Sequence, residues 1–288
     1  MTITELLQTG AKMLSGSGTD TPRLDCEVLL SHITKKERIY FILHPEEEAA
    51  PEVADAFLRL VERRKKSEPV SYLTGEREFM SLPFHVREGV LIPRPDTETL
   101  VEFVLNKFSG ACPTVLDLCT GSGAIGISIA KYLDSAKVTA VDFSETCVQC
   151  AKENADRNGV GKRVRVLRQN ILEQFDLGQR FDCIVSNPPY IRSDDIAGLE
   201  ETVRLYEPLT ALDGGRDGLI FYRRIAAIAP GLLNPGGILA FEVGHDQADE
   251  VAALLRTGGC FDEPAFSCDL AGIRRVVSVS LFRNHREV

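Results

Sequence analysis

Residues 114–123, Thr-Val-Leu-Asp-Leu-Cys-Thr-Gly-Ser-Gly, decide the fold of this chain. The first five residues have the apolar character of a buried strand, the next five form a tight glycine-containing turn, and residues 124–133 have a helical pattern. A buried strand joined to a helix by so short a turn is the first half of a parallel strand–helix–strand unit. The sequence therefore predicts an α/β sheet that is built outward from this turn.

Strands and helices continue to alternate after the turn. Helical segments are predicted from Ser144, a capping residue, to Asn158, and from Gly218 to Ala229. The further strands are predicted at residues 137–141, 164–167, 181–185 and 237–241, and the tail at 275–281 alternates like an edge strand. This alternation predicts a doubly wound, mostly parallel sheet, in which ligands bind beyond the carboxyl ends of the strands.

The chain before residue 76 has the pattern of a small helical bundle. Apolar residues recur at spacings of three and four over 3–14, a second helix begins at Thr21, and a third begins at Pro51 and ends in a basic run at 63–66. The second helix is predicted to bury Leu24, Val28, Leu29 and Ile33. The basic run is expected to be solvated, since cations are favoured at a helix end. A bundle of this size is predicted to bind a partner rather than to carry out chemistry.

Three parts are therefore expected along the chain. Residues 1–75 form the helical binding domain, 76–99 a hairpin and linker, and 100–288 the catalytic domain. The hairpin is predicted because apolar segments flank the Ser-Leu-Pro turn at 81–83.

The end of the linker is a stiff, charged turn. Two prolines flank Arg94 and force an extended path, and Asp96 or Thr97 is predicted to cap a helix that starts near Glu98. The pattern fits a plain linker and a lid over a cofactor equally well. In the second case Arg94 and Glu98 are the lid contacts.

Composition excludes several classes of protein. The chain has 288 residues, of which 44% are hydrophobic and 26% charged, as in an ordinary globular protein. Its apolar runs are too short for the roughly 20 residues of a membrane span, and the start lacks a secretory signal, so we expect a cytoplasmic protein with reduced cysteines. The net charge of −9 argues against a nucleic acid partner. None of the five histidines has a ligand-spaced partner, so no metal is predicted.

The turn carries a fingerprint that is ambiguous when considered alone. Gly121, Gly123 and Gly126 have the G-x-G-x-x-G spacing, and Asp142 follows about 20 residues later, as in dinucleotide-binding proteins. Two features distinguish this chain from that class: Asp117 lies inside the strand before the turn, and Asn-Pro-Pro-Tyr follows the strand at 181–185. A nucleoside cofactor with an amino acid tail fits this turn better.

Asn187, Pro188, Pro189 and Tyr190 predict a site for a planar NH2 group. Neither proline can donate a backbone hydrogen bond and each fixes φ near −65°, so the carbonyl oxygens of Asn187 and Pro188 stay free to accept. If the Asn187 side-chain oxygen and the Pro188 carbonyl accept the two N–H bonds of an amide, its nitrogen is held for attack on a methyl group. Tyr190 is expected to stack against that amide.

Together these motifs resemble a known enzyme class. Residues 117–123, Asp142 and residues 187–190 resemble the motifs of class I S-adenosylmethionine-dependent methyltransferases that act on exocyclic or amide nitrogens. The segments Pro-Arg-Pro-Asp-Thr-Glu at 93–98 and Tyr-Glu-Pro-Leu-Thr-Ala-Leu at 206–212 are more specific. With the helical N-terminal part, they resemble the peptide chain release factor glutamine methyltransferase family.

The resemblance implies a Rossmann-like catalytic domain, S-adenosylmethionine as cofactor, S-adenosylhomocysteine as product and class I peptide chain release factors as protein substrate, with no requirement for nucleic acid or membrane. The cofactor side is implied for Asp117, Cys119, Thr120, Gly121, Ser122, Gly123, Asp142, Asn170, Ile171 and Asn187, and the substrate side for Asn187, Pro188, Pro189 and Tyr190. Two positions depart from the family pattern. Cys119 replaces a usual glycine, and Asn170 replaces a usual aspartate.

Three functions remain open from the sequence. The first is methylation of the glutamine in the Gly-Gly-Gln motif of release factors. The second is methylation of an exocyclic amine in nucleic acid, which shares residues 187–190 but calls for a basic groove. The third is a non-catalytic cofactor-binding adaptor, which the Cys119 departure makes conceivable.

Overall fold

The computed structural model describes residues 1–283, which divide into two compact units. The first unit contains Met1–Glu76 together with Leu199–Tyr206, and the second contains the other described residues. A segment of the region predicted to be catalytic thus belongs to the helical unit. The predicted three-part division by function stays a prediction.

The first unit is a helical bundle. Its helices are α1 (Ile3–Leu14), α2 (Pro22–Thr34), α3 (Arg38–Leu43), α4 (Pro51–Arg64), α5 (Val70–Thr74) and the short helix Glu201–Arg204. A capping box begins α1, where the Thr2 hydroxyl accepts from the Glu5 amide and the Glu5 carboxylate accepts from the Thr2 amide. The largest fully buried side chains of the bundle are Leu6, Leu7, Leu14, Leu29, Leu30 and Phe57.

Two expectations for this bundle are wrong. Leu24 is exposed, because α2 turns Cys26, Leu29 and Leu30 toward the core instead. The basic run that ends α4 is not fully solvated: Arg64 is buried and its Nε lies 2.7 Å from the Asp25 carboxylate. A charge withdrawn from water requires a partner of opposite sign, and Asp25 supplies it.

The predicted hairpin is confirmed, but its turn is wrong by one to two residues: Leu82 and Pro83 belong to the second strand rather than to the turn. Strands β1 (Glu76–Phe79) and β2 (Leu82–His85) pair in a two-stranded sheet, joined by Met80 and Ser81, which both have positive φ. Positive φ at both central residues is the signature of a type I′ turn. The Glu98 carboxylate accepts from the Met80 amide at 2.7 Å and so stabilises this turn.

The second unit is built on a seven-stranded sheet in the order β5-β4-β3-β6-β7-β9-β8. The strands are β3 (Thr114–Leu118), β4 (Lys137–Asp142), β5 (Val164–Arg168), β6 (Phe181–Ser186), β7 (Leu233–Glu242), β8 (Ala265–Cys268) and β9 (Arg274–Ser280). Strands β5, β4, β3, β6 and β7 are parallel, and β9 is antiparallel to both of its neighbours, β7 and β8. The order reverses between β3 and β6, so the crevice beyond their carboxyl ends is the expected place for a ligand.

Helices cover both faces of the sheet. One apolar core packs α6 (Glu98–Lys107), α7 (Ala124–Tyr132) and α8 (Glu145–Arg157) on one face, and a second packs α10 (Ile220–Leu232) and α11 (Ala248–Thr257) on the other. The label α9 belongs to the helix Glu201–Arg204 of the first unit. The doubly wound, mostly parallel sheet predicted from the sequence is confirmed. No helix within residues 1–283 is long and apolar enough to span a membrane.

The strand predicted at 275–281 is present, but its predicted position at the edge of the sheet is wrong. Strand β9 lies between β7 and β8, and its residues 276–279 are all buried. Continuous burial is what a strand covered on both faces shows. The edge is β8, which the sequence did not reveal because this four-residue strand has no apolar face to bury.

Candidate active site

A cleft opens at the carboxyl ends of β3, β4 and β6. Its empty volume is about 920 Å³, including the part open to solvent, and it lies wholly within the second unit. The residues predicted from sequence that line it are Arg94, Cys119, Thr120, Gly121, Ser122, Asp142, Asn170, Ile171, Asn187 and Pro189.

Asp117 organises the glycine turn, residues 119–123, from beneath. Its Oδ2 accepts from the Thr120 hydroxyl at 2.5 Å and from the Gly126 amide at 3.0 Å, which ties the turn to the start of α7. Asp117 is fully buried, and burial raises its pKa to about 7 against these two hydrogen bonds. Like Gly123, it does not contribute to the wall of the cleft.

Gly126 has to be glycine for close packing. A Cβ there would lie 2.9 Å from a Val138 methyl group and 3.0 Å from Asp117 Oδ2. The third glycine of the fingerprint thus lets α7 approach the sheet and reach the Asp117 carboxylate.

Asp142 ends β4 and faces the cleft. Its Oδ2 accepts from the Gly121 amide and its Oδ1 from the Ser144 amide, both at 2.9 Å. Burial raises the pKa of this carboxyl, and the backbone amides of Ser144 and Gly121 partly offset the effect. The acceptor capacity that remains on both oxygens suits ligand hydroxyl groups.

Asn187 lies at the rim of the same cleft, just after β6. Ser186 fixes the strand end, because its hydroxyl donates to the Leu118 carbonyl at 2.7 Å. Asn187 Nδ2 donates to the Thr97 hydroxyl at 3.2 Å. Within the described chain, no backbone amide donates to the carbonyls of Asn187 and Pro188. The acceptor groups predicted from the two prolines are therefore free.

Thr97 has a different role from the predicted one. Neither Thr97 nor Asp96 caps α6 with its side chain, because residues 95–97 form a turn of 3₁₀ helix that leads directly into α6. The Thr97 hydroxyl is instead buried against Asn187 and lines the cleft.

Tyr190 is held by its backbone, behind the cleft wall. Its carbonyl accepts from Gln247 Nε2 at 2.9 Å, and burial raises the pKa of its hydroxyl to about 12. A Cβ at Gly218 would lie 2.4 Å from that carbonyl oxygen, so only glycine permits the approach. Neither Tyr190 nor Pro188 is among the lining residues, and the stacking role of Tyr190 stays a prediction.

The two segments at 93–98 and 206–212 meet at the mouth of the cleft. The buried Glu207 carboxylate accepts from the Ile92 amide at 3.2 Å and forms an ion pair with Arg94. Burial raises the pKa of Glu207, and Arg94 lowers it. Arg94 lines the cleft as the lid hypothesis expected, whereas Glu98 does not, because its carboxylate is engaged with Met80.

Cys119 occupies a conformation that favours glycine. Its φ is +60°, in the left-handed region, and its side chain lines the cleft. Burial raises the pKa of its thiol, so it is not a thiolate at neutral pH.

Sequence reasoning missed several lining residues: Leu91, Thr97, Phe143, Cys147, Gln169, Pro208, Thr210 and Phe221. A simple rule would have found two of them. Phe143 directly follows β4 and Gln169 directly follows β5, and the residue after a parallel strand points into the crevice. Pro208 and Thr210 belong to a segment singled out only by resemblance.

Two family models and many curated relatives match this chain. Residues 5–75 match the model of the PrmC N-terminal domain, and residues 95–203 match that of the methyltransferase small domain. The release factor glutamine methyltransferase of Clostridium acetobutylicum is 44% identical over 88% of this chain and 89% of its own. That of Vibrio cholerae is 37% identical over 100% of this chain and 99% of its own.

Solved structures share the fold. The hMettl16 catalytic domain in complex with an RNA hairpin covers 75% of this chain and 82% of its own, with a TM-score of 0.60 and 18% identity. The T. thermophilus 16S rRNA N2 G1207 methyltransferase, solved with AdoMet and guanosine, covers 72% of this chain and 49% of its own, with a TM-score of 0.51 and 19% identity. At these identities the likeness concerns the methyltransferase fold alone.

Proposed function

The chain belongs to the release factor glutamine methyltransferase family, and on that premise we propose its reaction and the residues that perform it. The chain is a methyltransferase. It transfers a methyl group from S-adenosylmethionine to the side-chain amide nitrogen of the glutamine in the Gly-Gly-Gln motif of class I release factors. Because that substrate works on ribosomes, the proposal includes a cytoplasmic location. The observation that carries it is the Asn187 amide, with free backbone carbonyls beside it, at the rim of the cleft.

The residues of the cleft fit the cofactor. The Asp142 carboxylate can accept from ribose hydroxyls, and Phe143 and Ile171 offer apolar walls for a base. Gln169 and Asn170 add polar groups on the same side. When bound, S-adenosylmethionine supplies the methyl group on a sulfonium. The glycine turn admits its amino acid tail, because Gly121 leaves open space where a Cβ would stand.

Residues 187–190 promote the reaction by positioning the amide nitrogen of the substrate. A carboxamide nitrogen is a weak nucleophile, since its lone pair is conjugated with its carbonyl. With its two N–H groups donated to Asn187 Oδ1 and the Pro188 carbonyl, the nitrogen is held with the lone pair directed into the cleft. Such positioning supplies up to about 7–11 kcal/mol in favourable cases, whereas each hydrogen bond alone nets about 1 kcal/mol. Orientation, together with oxygen dipoles where positive charge develops, accounts for the rate. The methylated nitrogen is strongly acidic and loses its proton to water.

The helical unit is proposed to grip the release factor. Three neighbouring large apolar residues of α3, namely Ile39, Ile42 and Leu43, are 54–67% exposed. Clustered exposed apolar side chains mark protein-binding surfaces more often than chance positions do. An acidic chain with such a cluster suits a protein partner better than nucleic acid.

One assay tests the proposal against its alternatives. Radiolabelled methyl transfer is measured from S-adenosylmethionine to purified release factor, to the same factor with its Gly-Gly-Gln glutamine replaced, and to RNA and DNA. Label is expected on the intact factor alone. Label on nucleic acid would favour the exocyclic-amine alternative, and cofactor binding without transfer to any of them would favour the adaptor.

A further inference from the structure

Glu242, the last residue of β7, is a buried carboxyl that the proposed reaction leaves without a role. It is 3% exposed, and its Oε2 has no hydrogen-bond partner within residues 1–283. Strand β7 lies beside β6, with Phe241 opposite Ser186, so Glu242 lies next to the position where Asn187 leaves the sheet. Burial raises the pKa of this carboxyl, and the side chains of Thr97 and Asn187 lie close enough to lower it in part. A buried acceptor of this kind is costly unless something uses it.

The groups around Glu242 come from several elements. Asp96, before α6, raises its pKa, and Arg275 on β9 lowers it. Arg275 is shared, because it also pairs with Asp96 at 2.6 Å and with Asp269 at 3.0 Å. The rings of Tyr190 and Tyr222 complete the surroundings, each with its own pKa raised in part by Glu242. No cation is therefore dedicated to this carboxyl among the described residues.

We propose that Glu242 is a positioning residue that fixes which end of the Asn187 amide meets the substrate. The inference rests on the proposed function, because the substrate amide needs an acceptor from Asn187 and not a donor. An asparagine side chain can present its oxygen or its NH2 group with nearly the same shape. Only the first orientation can accept an N–H of the substrate amide, and the second would place two NH2 groups face to face.

The hydroxyl of Thr97 links Glu242 to that choice. A hydroxyl has a single proton to donate. An ionised carboxylate only accepts, so beside Glu242 the Thr97 proton is directed to the carboxylate. The Thr97 oxygen then accepts from Asn187 Nδ2, which is the observed 3.2 Å contact. Asn187 Oδ1 is left to face the cleft.

When Glu242 is protonated, the Thr97 hydroxyl is no longer forced to donate to it. A protonated carboxyl can donate to Thr97, whose own proton is then free to point at Asn187, and the amide can turn over. Burial raises the pKa of Glu242 to about 7. Methyl transfer is therefore expected to fall on the acid side of about pH 7 through Glu242.

The test compares Glu242→Gln with the wild type at a series of pH values from 6 to 8.5. Glutamine has nearly the same shape but can donate as well as accept, so it does not force the Thr97 hydroxyl to donate to it. At pH 8 the variant is expected to lose about 10- to 100-fold in kcat, while the KM for release factor and the Kd for S-adenosylmethionine stay within about threefold. The acid limb of the wild-type profile should be absent from the variant.

Tyr222→Phe is the matched control. The Tyr222 hydroxyl donates to the Glu242 backbone carbonyl at 2.9 Å, so its removal disturbs the same residue and leaves the Glu242 carboxyl itself in place. This variant should keep the acid limb. A Glu242→Gln enzyme with wild-type kcat and an unchanged acid limb would overturn the proposal.

A second pair of variants serves if Glu242→Gln does not fold. Thr97→Ser keeps the hydroxyl and is expected to keep both the rate at pH 8 and the acid limb, whereas the similarly shaped Thr97→Val should lose both. Equal rates for the two variants would contradict the inference. A wild-type enzyme that fails to methylate release factor at all would instead contradict the proposed function, so the two failures are distinguishable.

Discussion

Arg94 and Glu207 are 113 positions apart in the sequence and form an ion pair at the mouth of the cleft. The Glu207 side chain is 1% exposed and that of Arg94 is 39% exposed, so the pair is asymmetric. The contact joins the two family-specific segments at 93–98 and 206–212, and both segments line the cleft. The two sequence segments that carry the family resemblance are therefore held together by one ion pair.

Arg94→Ala should destabilise the protein more than Glu207→Gln does. Loss of the arginine leaves a buried carboxylate that accepts, among the residues the structure describes, from the Ile92 amide alone. Glu207→Gln leaves an arginine that can turn to solvent. The expected loss in free energy of unfolding for Arg94→Ala is about 2 kcal/mol, because water can partly replace the exposed guanidinium. Urea denaturation measures it. The double variant should recover part of the loss, and strictly additive effects would show that the pair is not coupled.

Asn187→Ala should abolish methyl transfer and leave cofactor binding within a few fold. The side chain supplies an acceptor to the substrate amide, while the proposed cofactor contacts belong to Asp142 and the glycine turn. Single-turnover transfer and calorimetric titration with S-adenosylmethionine separate the two effects. A large loss of cofactor affinity would mean that Asn187 holds the cofactor and that the amide assignment is wrong.

The sequence predicted the parts of the site that depend on local rules. Asp142 and Asn187 follow from strand ends, because parallel strands deliver their last residues to one edge of the sheet. Asp117 lies inside its strand and supports the glycine turn from beneath. The positions of Thr97 and Glu242 could not be predicted, because they depend on which loop packs against which strand end. Thr97 and Asn187, for example, are in contact although they are 90 positions apart in the sequence.

The misplaced elements have the same origin. The alternation in β9 predicts an edge strand, because the short β8 that covers it carries little apolar pattern. The basic run predicts a solvated Arg64, because its partner Asp25 lies on another helix. Periodicity reports which face is apolar and not which element covers it.

Cys119→Gly should stabilise the protein and tighten cofactor binding. The residue has φ +60°, a conformation that costs an L-residue about 1 kcal/mol more than glycine, and its Cβ stands in the wall of the cleft. The expected gain is about 0.5–1 kcal/mol in free energy of unfolding, reduced by the greater freedom of glycine when unfolded. The control is Cys119→Ala, which removes the thiol and keeps the Cβ. Equal gains from both variants would assign the effect to the thiol.

The stability of the protein should fall as the pH rises through 7, and Glu242 should account for part of the fall. Burial raises the pKa of both Asp117 and Glu242 to about 7, from ordinary values of 3.8 and 4.5. A group whose folded pKa is raised favours the protonated folded state. Its contribution is complete below the unfolded pKa and is lost as the pH passes the folded one. For Glu242 the loss is roughly 3 kcal/mol.

Glu242→Gln isolates this contribution. Between pH 5 and pH 8 the wild type should lose free energy of unfolding relative to the variant by that amount, measured by urea denaturation at each pH. Asp182→Asn is the control: hydrogen bonds from Thr114 and Asn234 lower the pKa of Asp182 despite partial burial, so its contribution changes only in acid, below about pH 4. The difference between this control and the wild type should stay flat from pH 5 to 8. A flat difference for Glu242→Gln as well would mean that Glu242 titrates below this range, and the acid limb of methyl transfer would then need another group.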